Sequence, residues 1–407
     1  MKIAVVGGGA AGLMAAGTAR SNGADVTLFE RNERLGVKLR ITGKGRCNVT
    51  NNCTRQEFFD NVVSNPRFLY SAFSEFSNTD TMAFFENLGV PLKTERGNRV
   101  FPVSDRAADI ADALIRCCTD AGVKILHERV KTIVHNGVFT VSTGNKEYKF
   151  DKVIIATGGL SYPRTGSTGD GYKFARAAGH TVTETSPSLV PLVCSDEICP
   201  LCQGLSLKNV NLSVYDTEKD KTVFSEQGEM LFTDNGVSGP LVLSASAHMS
   251  DIVDGKYKLY IDLKPALDRQ TLDKRILRDF AENKNRDIVN SFSALLPSKL
   301  IAPFIELSGI PKNKKVNSVT AGERAVIVEL LKKLPLSVIS TAPVAEAVIT
   351  RGGVDTKQIE PKTMQSKILP GLYFAGEIID CDAYTGGFNL QIAFSTGYAA
   401  GYHASIT

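Results

Sequence analysis

Gly7, Gly9 and Gly12 stand in the spacing that lets a backbone close around a diphosphate. Gly7 permits a tight turn, Gly9 lets the backbone approach a pyrophosphate, and Gly12 lets a helix pack closely on a strand. The motif follows the β-branched run Lys2–Val6 and opens an Ala-rich helical stretch, Ala10–Asn22, with Ala11 in its first turn. The unpaired N–H groups and positive dipole end of such a helix attract phosphates. A second strand, Asp25–Glu30, ends on Glu30, 18 residues beyond Gly12. A carboxylate there can accept both ribose hydroxyl protons. Strand, helix and acid together read as a dinucleotide site.

That unit alone does not separate FAD from NAD. Two later stretches point to FAD. Val153–Gly159, VIIATGG, is a buried strand ending in a glycine turn, as expected where a second crossover touches the dinucleotide. Gly371–Gln391 reads GLYFAGEIIDCDAYTGGFNLQ. Here a strand delivers Gly376 and Glu377 to a phosphate and ribityl chain. Gly386-Gly387 then turns into a helix whose N-terminal amides can face the flavin pyrimidine edge and stabilise negative charge on the reduced ring. An incidental strand–turn–helix leaves the glutamate and the paired glycines unexplained.

Other chemistries find less support. Cys199-Pro-Leu-Cys202 has redox or zinc spacing, with Cys194 upstream, but a fourth ligand is not nearby and no thioredoxin-like βαβ pattern surrounds it. Ordinary thiols are the expectation. Cys53 lies six residues after Cys47, outside the CxxxxC spacing of flavin disulfide reductases, so Cys47 reads as a structural or flavin-contacting thiol. His127, His135, His180, His248 and His403 show no ligand spacing, and no metal is expected. No second GxGxxG occupies a βαβ unit of its own; Gly166–Gly171, GSTGDG, has the wrong spacing. NAD(P)H, if used, is then a transient electron donor at the flavin face.

The elements that must position these groups follow from periodicity and punctuation. At 407 residues the chain exceeds what one core usually organises. Helical periodicity runs through 56–90 (Phe58, Phe59, Val62, Val63, then Met82, Phe84, Phe85, Leu88), and 105–121 forms another helix with Ser104 as N-cap. Short strands are expected at Lys124–Leu126, Val130–His135, Val138–Thr143 and Tyr148–Phe150, the last two a hairpin around Thr143-Gly144-Asn145. From about 190 the texture changes. Leu205–Tyr215, Val223–Ser225 and Tyr257–Asp262 suggest a small antiparallel sheet or barrel, and 266–336 reads as a helical segment (Leu272, Ile276, Phe280; Ile327, Leu330, Leu331, Leu334). From about 343 the nucleotide-domain texture returns, with Ala347–Thr350 and Leu372–Ala375 as strands and a last helix from about Leu390 to His403.

Lys plus Arg is 47 and Asp plus Glu is 43, a net of +4, too weak over this length to argue for nucleic acid or an anionic membrane. The apolar run Ile3–Val6 is too short for a signal peptide, and no stretch approaches the roughly 18 apolar residues of a membrane helix. A cytoplasmic protein with reduced thiols is expected. Its partner would be a small-molecule substrate, with neither nucleic acid nor membrane; the oligomeric state is not legible.

Ile41–Asn51, ITGKGRCNVTN, resembles the ITGxGRCNxTN segment of the three-domain HI-type bacterial flavoproteins, NAD(P)/FAD-dependent oxidoreductases that include a bile-acid enone reductase and aminoacetone oxidase. The resemblance continues through ATGGLSYPRTGSTGDGY (156–172), LFTDNGVSGP (231–240), VITRGGV (348–354), TMQSKILPGLYFAGEIID (363–380) and TGGFNLQIAFSTGYAAG (385–401), nearly the whole chain. It implies an α/β fold: a Rossmann-like FAD-binding domain built from both termini (1–190 and 343–407), an inserted antiparallel β-barrel domain (191–265) and a small helical domain (266–342). It also implies that Glu30, Arg31, Lys38, Arg46, Cys47, Val130, Ala156, Thr157, Gly158, Gly376, Glu377 and Gly387 to Leu390, Asn389 included, line FAD. Members often carry Asp-Gly-Ile/Val-Thr before the paired glycines, whereas this chain has Asp382-Ala383-Tyr384-Thr385.

The function expected from these readings is FAD-dependent electron transfer. In one form, NAD(P)H reduces FAD and hydride passes to the β-carbon of an enone on a hydrophobic, bile-acid- or steroid-like ketone; cysteine abundance, suited to a reducing cell, favours it. In others, a small amine such as aminoacetone is oxidised, or the protein is a non-catalytic or RNA-modifying flavoprotein. Tyr384, Arg46 and Tyr162 are the candidates for the substrate side, with Arg164 behind them.

Overall fold

The computed structural model of the protein describes residues 1–144 and 146–406. The chain divides into two units, Met1–Ser188 with Val344–Thr407, and Leu189–Pro343.

Five parallel strands form the central sheet of the first unit: β1 (Lys2–Val6), β2 (Asp25–Phe29), β3 (Lys124–Leu126), β4 (Lys152–Ile155) and β5 (Leu372–Phe374), in the order β5-β4-β1-β2-β3. Parallel strands covered on both faces are apolar throughout. KIAVV and KVII accordingly bury every residue after their first. Val6 is level with Ile155 on one side and Phe29 on the other, so three strand ends finish together where ligands of open α/β sheets bind.

Helix α1 (Ala10–Ser21) leaves that edge. A Cβ at Gly12 would stand 1.8 Å from the Gly7 carbonyl oxygen, so only glycine fits. Along the C-terminal helix α3 (Phe388–Ile406), Cβ atoms at Gly397 and Gly401 would stand 2.5 and 2.4 Å from the carbonyl oxygens of Ala11 and Ala15. Helix α2 (Ala107–Ala121) covers α1 as well, its Cys118 thiol donating to the Leu13 carbonyl at 3.2 Å. Ser104 does not cap α2. Arg106 holds the cap position without a side-chain bond, and the Ser104 hydroxyl donates instead to Asp109 Oδ2 at 2.6 Å. A three-stranded antiparallel meander (Thr132–His135, Phe139–Ser142, Glu147–Phe150) follows β3, and its expected second hairpin pairs as read; Asn145 at the turn lies outside the described residues. A small sheet of Thr50–Asn51, Arg99–Pro102 and Leu92–Glu95 lies beside the stretch that contains Arg46.

The second unit is a closed antiparallel barrel of Leu192–Cys194, Gly236–Ser238, Lys221–Phe232, Ser206–Asp216, Tyr257–Asp262 and Leu334–Thr341. Two sequence expectations change here. Leu334, read with the helical segment, begins the strand that closes the barrel: Leu334, Leu336 and Val338 are buried in alternation, and Pro335 cannot extend the helix Ala321–Lys332 before it. The helices Arg269–Glu282, Ser298–Leu307 and Ala321–Lys332 also lack a core of their own, because Leu272, Phe304 and Leu331 bury into one apolar cluster with the barrel residues Leu212, Leu259 and Leu336. Among the described residues no helix is long and apolar enough to cross a membrane.

The α1–α3 contact generates a test of unusual sign. In an exposed helix, Gly→Ala stabilises by about 1 kcal/mol. At Gly401 the added methyl meets backbone, so G401A is expected to destabilise by about 1–3 kcal/mol, read as a fall in Tm. A Tm equal to or above that of the parent protein would refute the packing argument.

Candidate cofactor and active site

Three stretches far apart in the chain meet at the carboxyl ends of β1, β4 and β5. A Cβ on Gly7, whose φ is +109°, would lie 2.4 Å from the Ala156 carbonyl oxygen; one on Gly376 would lie 2.7 Å from Ala11 Cβ; one on Gly159 would lie 2.9 Å from Glu377 Oε1. Gly387, at φ +100°, presses on the Thr50 backbone, where a Cβ would be 2.4 Å from its carbonyl. Each stretch leaves no room for a side chain toward its neighbour.

The chemistry of the cradle follows from what is left facing it. Gly9 caps α1 with backbone alone, no acidic residue sits in the first turn, and a Cβ at Gly9 would meet nothing within 4 Å. First-turn N–H groups with room before them are the arrangement that receives a phosphate. Glu30 is buried; Oε2 accepts the Gly8 N–H and Oε1 the Asn32 N–H, both at 2.8 Å. Each oxygen keeps a lone pair for a ribose hydroxyl. Two buried polar atoms in the converging stretches, Thr157 Oγ1 and Asn48 Oδ1, have no protein hydrogen-bond partner. Buried polar atoms are nearly always satisfied, so both mark places for a polar ligand group. The residues present fit a dinucleotide.

A hydrogen-bonded knot ties the stretches together. Lys38 Nζ donates to Ser161 Oγ and to Glu377 Oε2, each at 2.6 Å; Glu377 Oε1 accepts from Ser161 Oγ at 2.7 Å and from the Thr350 N–H at 2.9 Å. Thr350 Oγ1 in turn accepts the N–H groups of Leu160 and Ser161 at 2.8 and 3.1 Å. Lys38 and Glu377, both expected at FAD from the family resemblance, are thus brought into direct contact. Asn389 faces its own loop, accepting the Ala383 N–H at 2.9 Å and donating to the Ala383 carbonyl at 2.7 Å, and so braces the turn before α3. Leu390 packs partly buried on the core, and Val130 is buried. Arg31 Nη1 donates to Thr168 Oγ1 at 2.7 Å.

Arg46 turns elsewhere. Its Nη2 lies 2.5 Å from both Glu95 Oε1 and Asp105 Oδ1, and its guanidinium stacks 4.1 Å above the Phe101 ring. Those carboxylates raise the guanidinium pKa further, and Arg46 in turn lowers that of Glu95. Tyr162 stands in a left-handed conformation, φ +52°, with Lys38 Nζ 5.8 Å from its ring centre. Tyr384 is half-buried in the loop braced by Asn389, its N–H donating to the Asn61 carbonyl at 2.9 Å. Cys47 is fully buried, and burial pushes its thiol up to about 12; Cys53 is pushed up to about 11 by the same cause. All eight cysteines are free thiols, and burial raises Cys202 to about 11. Among the described residues no group of three or more His, Cys, Asp or Glu could hold a metal ion. Sequence reasoning passed over Asn48, Ser161 and Thr350, although each lies inside a quoted family segment; polar residues flanking a glycine turn were the available signal.

The family signature described as "HI0933-like protein Rossmann domain" matches residues 1–403. The chain belongs to this HI0933-like flavoprotein family. It is 30% identical to a 3-dehydro-bile acid delta(4,6)-reductase of Clostridium scindens over 99% of both chains. It is also 30% identical to a ribosomal RNA dihydrouridine synthase of Escherichia coli, over 97% of this chain and 96% of that one. Among solved structures, a 3-ketosteroid delta1-dehydrogenase of Sterolibacterium denitrificans shares the fold with TM-score 0.53, at 12% identity over 99% of each chain. The HI0933-like Rossmann unit is therefore the one in which Gly7, Glu30, Ala156 and Gly376 converge.

Two outcomes check the cradle. Gly9 has ordinary φ and an unobstructed Cβ direction, so G9V is expected to lose FAD on desalting while keeping the Tm of the FAD-free parent protein. E30A is expected to weaken FAD binding roughly ten- to a hundred-fold, the worth of hydrogen bonds to a charged group, measured by flavin fluorescence titration. Cys47, its thiol pushed up to about 12 by burial, should resist iodoacetamide at pH 8 in the native protein and react only after denaturation, as peptide mass spectrometry would show. Rapid native labelling would return Cys47 to the list of reactive groups.

Proposed function

We propose that the protein is an FAD-dependent oxidoreductase that uses NAD(P)H to reduce a C=C bond conjugated to a ketone on a hydrophobic, bile-acid- or steroid-like substrate. The observation that carries the FAD assignment is the convergence of the Gly7–Gly9 turn, the Ala156–Gly159 turn and Gly376–Glu377 around unsatisfied polar atoms. Full-length similarity to a bile-acid delta(4,6)-reductase supports the reaction class. Bound in the cradle, the flavin supplies hydride exchange between the nicotinamide and the β-carbon of the substrate.

The chain's own groups then have distinct tasks. The first turn of α1 binds the diphosphate, and Glu30 holds the adenosine ribose. The Lys38–Ser161–Glu377 knot fixes the strand ends so that the cofactor's position is determined by rigid elements. Negative charge develops on the ketone oxygen as hydride adds, so a donor is needed there. Tyr384 and Tyr162 carry hydroxyls suited to that task. Arg46, whose guanidinium is engaged by Glu95 and Asp105, is the third candidate.

A second reading has its own support in the similarity to an rRNA dihydrouridine synthase. The 5,6 double bond of uridine is also conjugated to a carbonyl, so the same hydride delivery would saturate it. Charge favours a small hydrophobic substrate over a polyanion. Basic and acidic residues are equal in number across Leu189–Pro343, and the whole chain carries only +4, little to attract a polyanion.

Anaerobic stopped-flow on the yellow, FAD-loaded protein separates these readings. NADH or NADPH should bleach the flavin rapidly, and a 3-keto-4-ene steroid should restore the colour with formation of the saturated ketone. Recolouring by unmodified rRNA with gain of dihydrouridine would instead establish the second reading. Bleaching by aminoacetone, with peroxide on aeration, would show an amine oxidase. Y384F is expected to lower kcat about 10²-fold if its hydroxyl serves the ketone oxygen, within the range for loss of one such donor, with Y162F as its comparison.

A further inference from the structure

One charge pair in the first unit, a buried carboxylate beside a partly exposed guanidinium, is used by none of the roles above. Asp382 is fully buried; its Oδ2 accepts the Ser188 hydroxyl at 2.7 Å and lies 3.8 Å from Arg351 Nε, while its Oδ1 is buried without a hydrogen-bond partner. Burying a carboxylate is costly unless a cation and hydrogen bonds compensate it, and breaking such a pair from one side is costlier still. The pair therefore calls for a reason.

Its place in the cradle gives one. Arg351 directly follows Thr350, whose side chain accepts the N–H groups of Leu160 and Ser161 and whose N–H donates to Glu377. Asp382 lies midway between Glu377 and Gly387, its carbonyl accepting the N–H groups of Val63 and Ser64, and the next residue, Ala383, is clamped by Asn389. The charges are thus anchored to the second and third stretches, on the side served by Gly387 and the start of α3, while Glu30 is anchored to the first. Asp380 stands close by; burial raises its carboxyl, the charges of Asp382 and Asp355 add to that rise, and Thr183 and Asn65 side chains oppose it.

We propose that the Arg351–Asp382 pair sets the reduction potential of the flavin, Arg351 favouring the negatively charged reduced ring and the Asp382 carboxylate partly offsetting it. This rests on the FAD reading. Reduction takes two electrons and, where the ring stays anionic, one proton. A cation fixed near the pyrimidine edge stabilises that product, and a nearby anion opposes it.

The test is the midpoint potential of bound FAD, measured with xanthine oxidase and a reference dye. D382N keeps shape and removes the anion, so its potential is expected to rise by at least a tenfold change in the oxidation equilibrium, about 30 mV for two electrons. R351M is expected to fall by a similar factor, R351K to stay near the parent, and S188A, which changes no charge, to move little. Shifts of the same sign, or none, in variants that retain FAD would overturn the inference and leave the FAD reading intact. The parent protein supplies an arm that needs no variant: below pH 7 its potential should fall by one tenfold step, about 30 mV, per pH unit. Twice that slope means a neutral reduced ring and overturns the inference. A chain that binds no FAD at all overturns both.

Discussion

Helix α1 is gripped by backbone on two sides, and the rest of the first unit depends on that grip. Gly12 brings it against the turn after β1, while Gly397 and Gly401 bring α3 against the carbonyls of Ala11 and Ala15. The helix whose first turn faces the proposed diphosphate is therefore pinned by segments from both ends of the chain. Its N–H groups need no side-chain cap, because position rather than capping holds the helix start. An added methyl on any of the three glycines forces a main chain to move, and the main chain that moves is the one that forms the cradle.

The same logic explains why the site is built from turns and polar knots. Gly7 and Gly376 bring main chains or Cβ atoms together without intervening side chains, so the geometry has little slack. Where side chains do enter, they arrive with their partners. Lys38, Ser161 and Glu377 satisfy one another, and Thr350 ties two of these segments through its hydroxyl and its N–H. Thr157 Oγ1 and Asn48 Oδ1, by contrast, are buried with no hydrogen-bond partner in the protein.

Much of this was legible in the sequence, and the reasons are local. A glycine at a turn, a β-branched run before it and an acid at the end of the next strand are short-range signals, which is why β1, α1, β2 and Glu30 could be read directly. The contacts of Gly397 and Gly401 were not legible, because nothing in TGYAAG says that the opposing surface is a main chain. Leu334 was misplaced because its three-residue spacing from Leu331 fits a helix, whereas Pro335 and the alternation of Leu334, Leu336 and Val338 mark the strand. Ser104 looked like a cap, but the cap position falls on Arg106; the Ser104 hydroxyl accepts the Arg106 N–H and donates to the Asp109 side chain. Arg46 sits in a flavoprotein-like segment, yet its partners Glu95 and Asp105 are distant in sequence and no periodicity marks them. The Arg351–Asp382 pair escaped for the same reason.

The two relatives described above, by their names, bear on one bond type. A steroid-like enone and the uracil ring each present a C=C bond polarised by a carbonyl, and hydride delivered to the far carbon leaves charge on the oxygen in either case. On the proposed reading, the groups that make this possible all lie in Met1–Ser188 and Val344–Thr407. Nothing in that set needs to know whether the carbonyl belongs to a steroid or a base. Selection of the substrate has to come from groups that touch its other atoms.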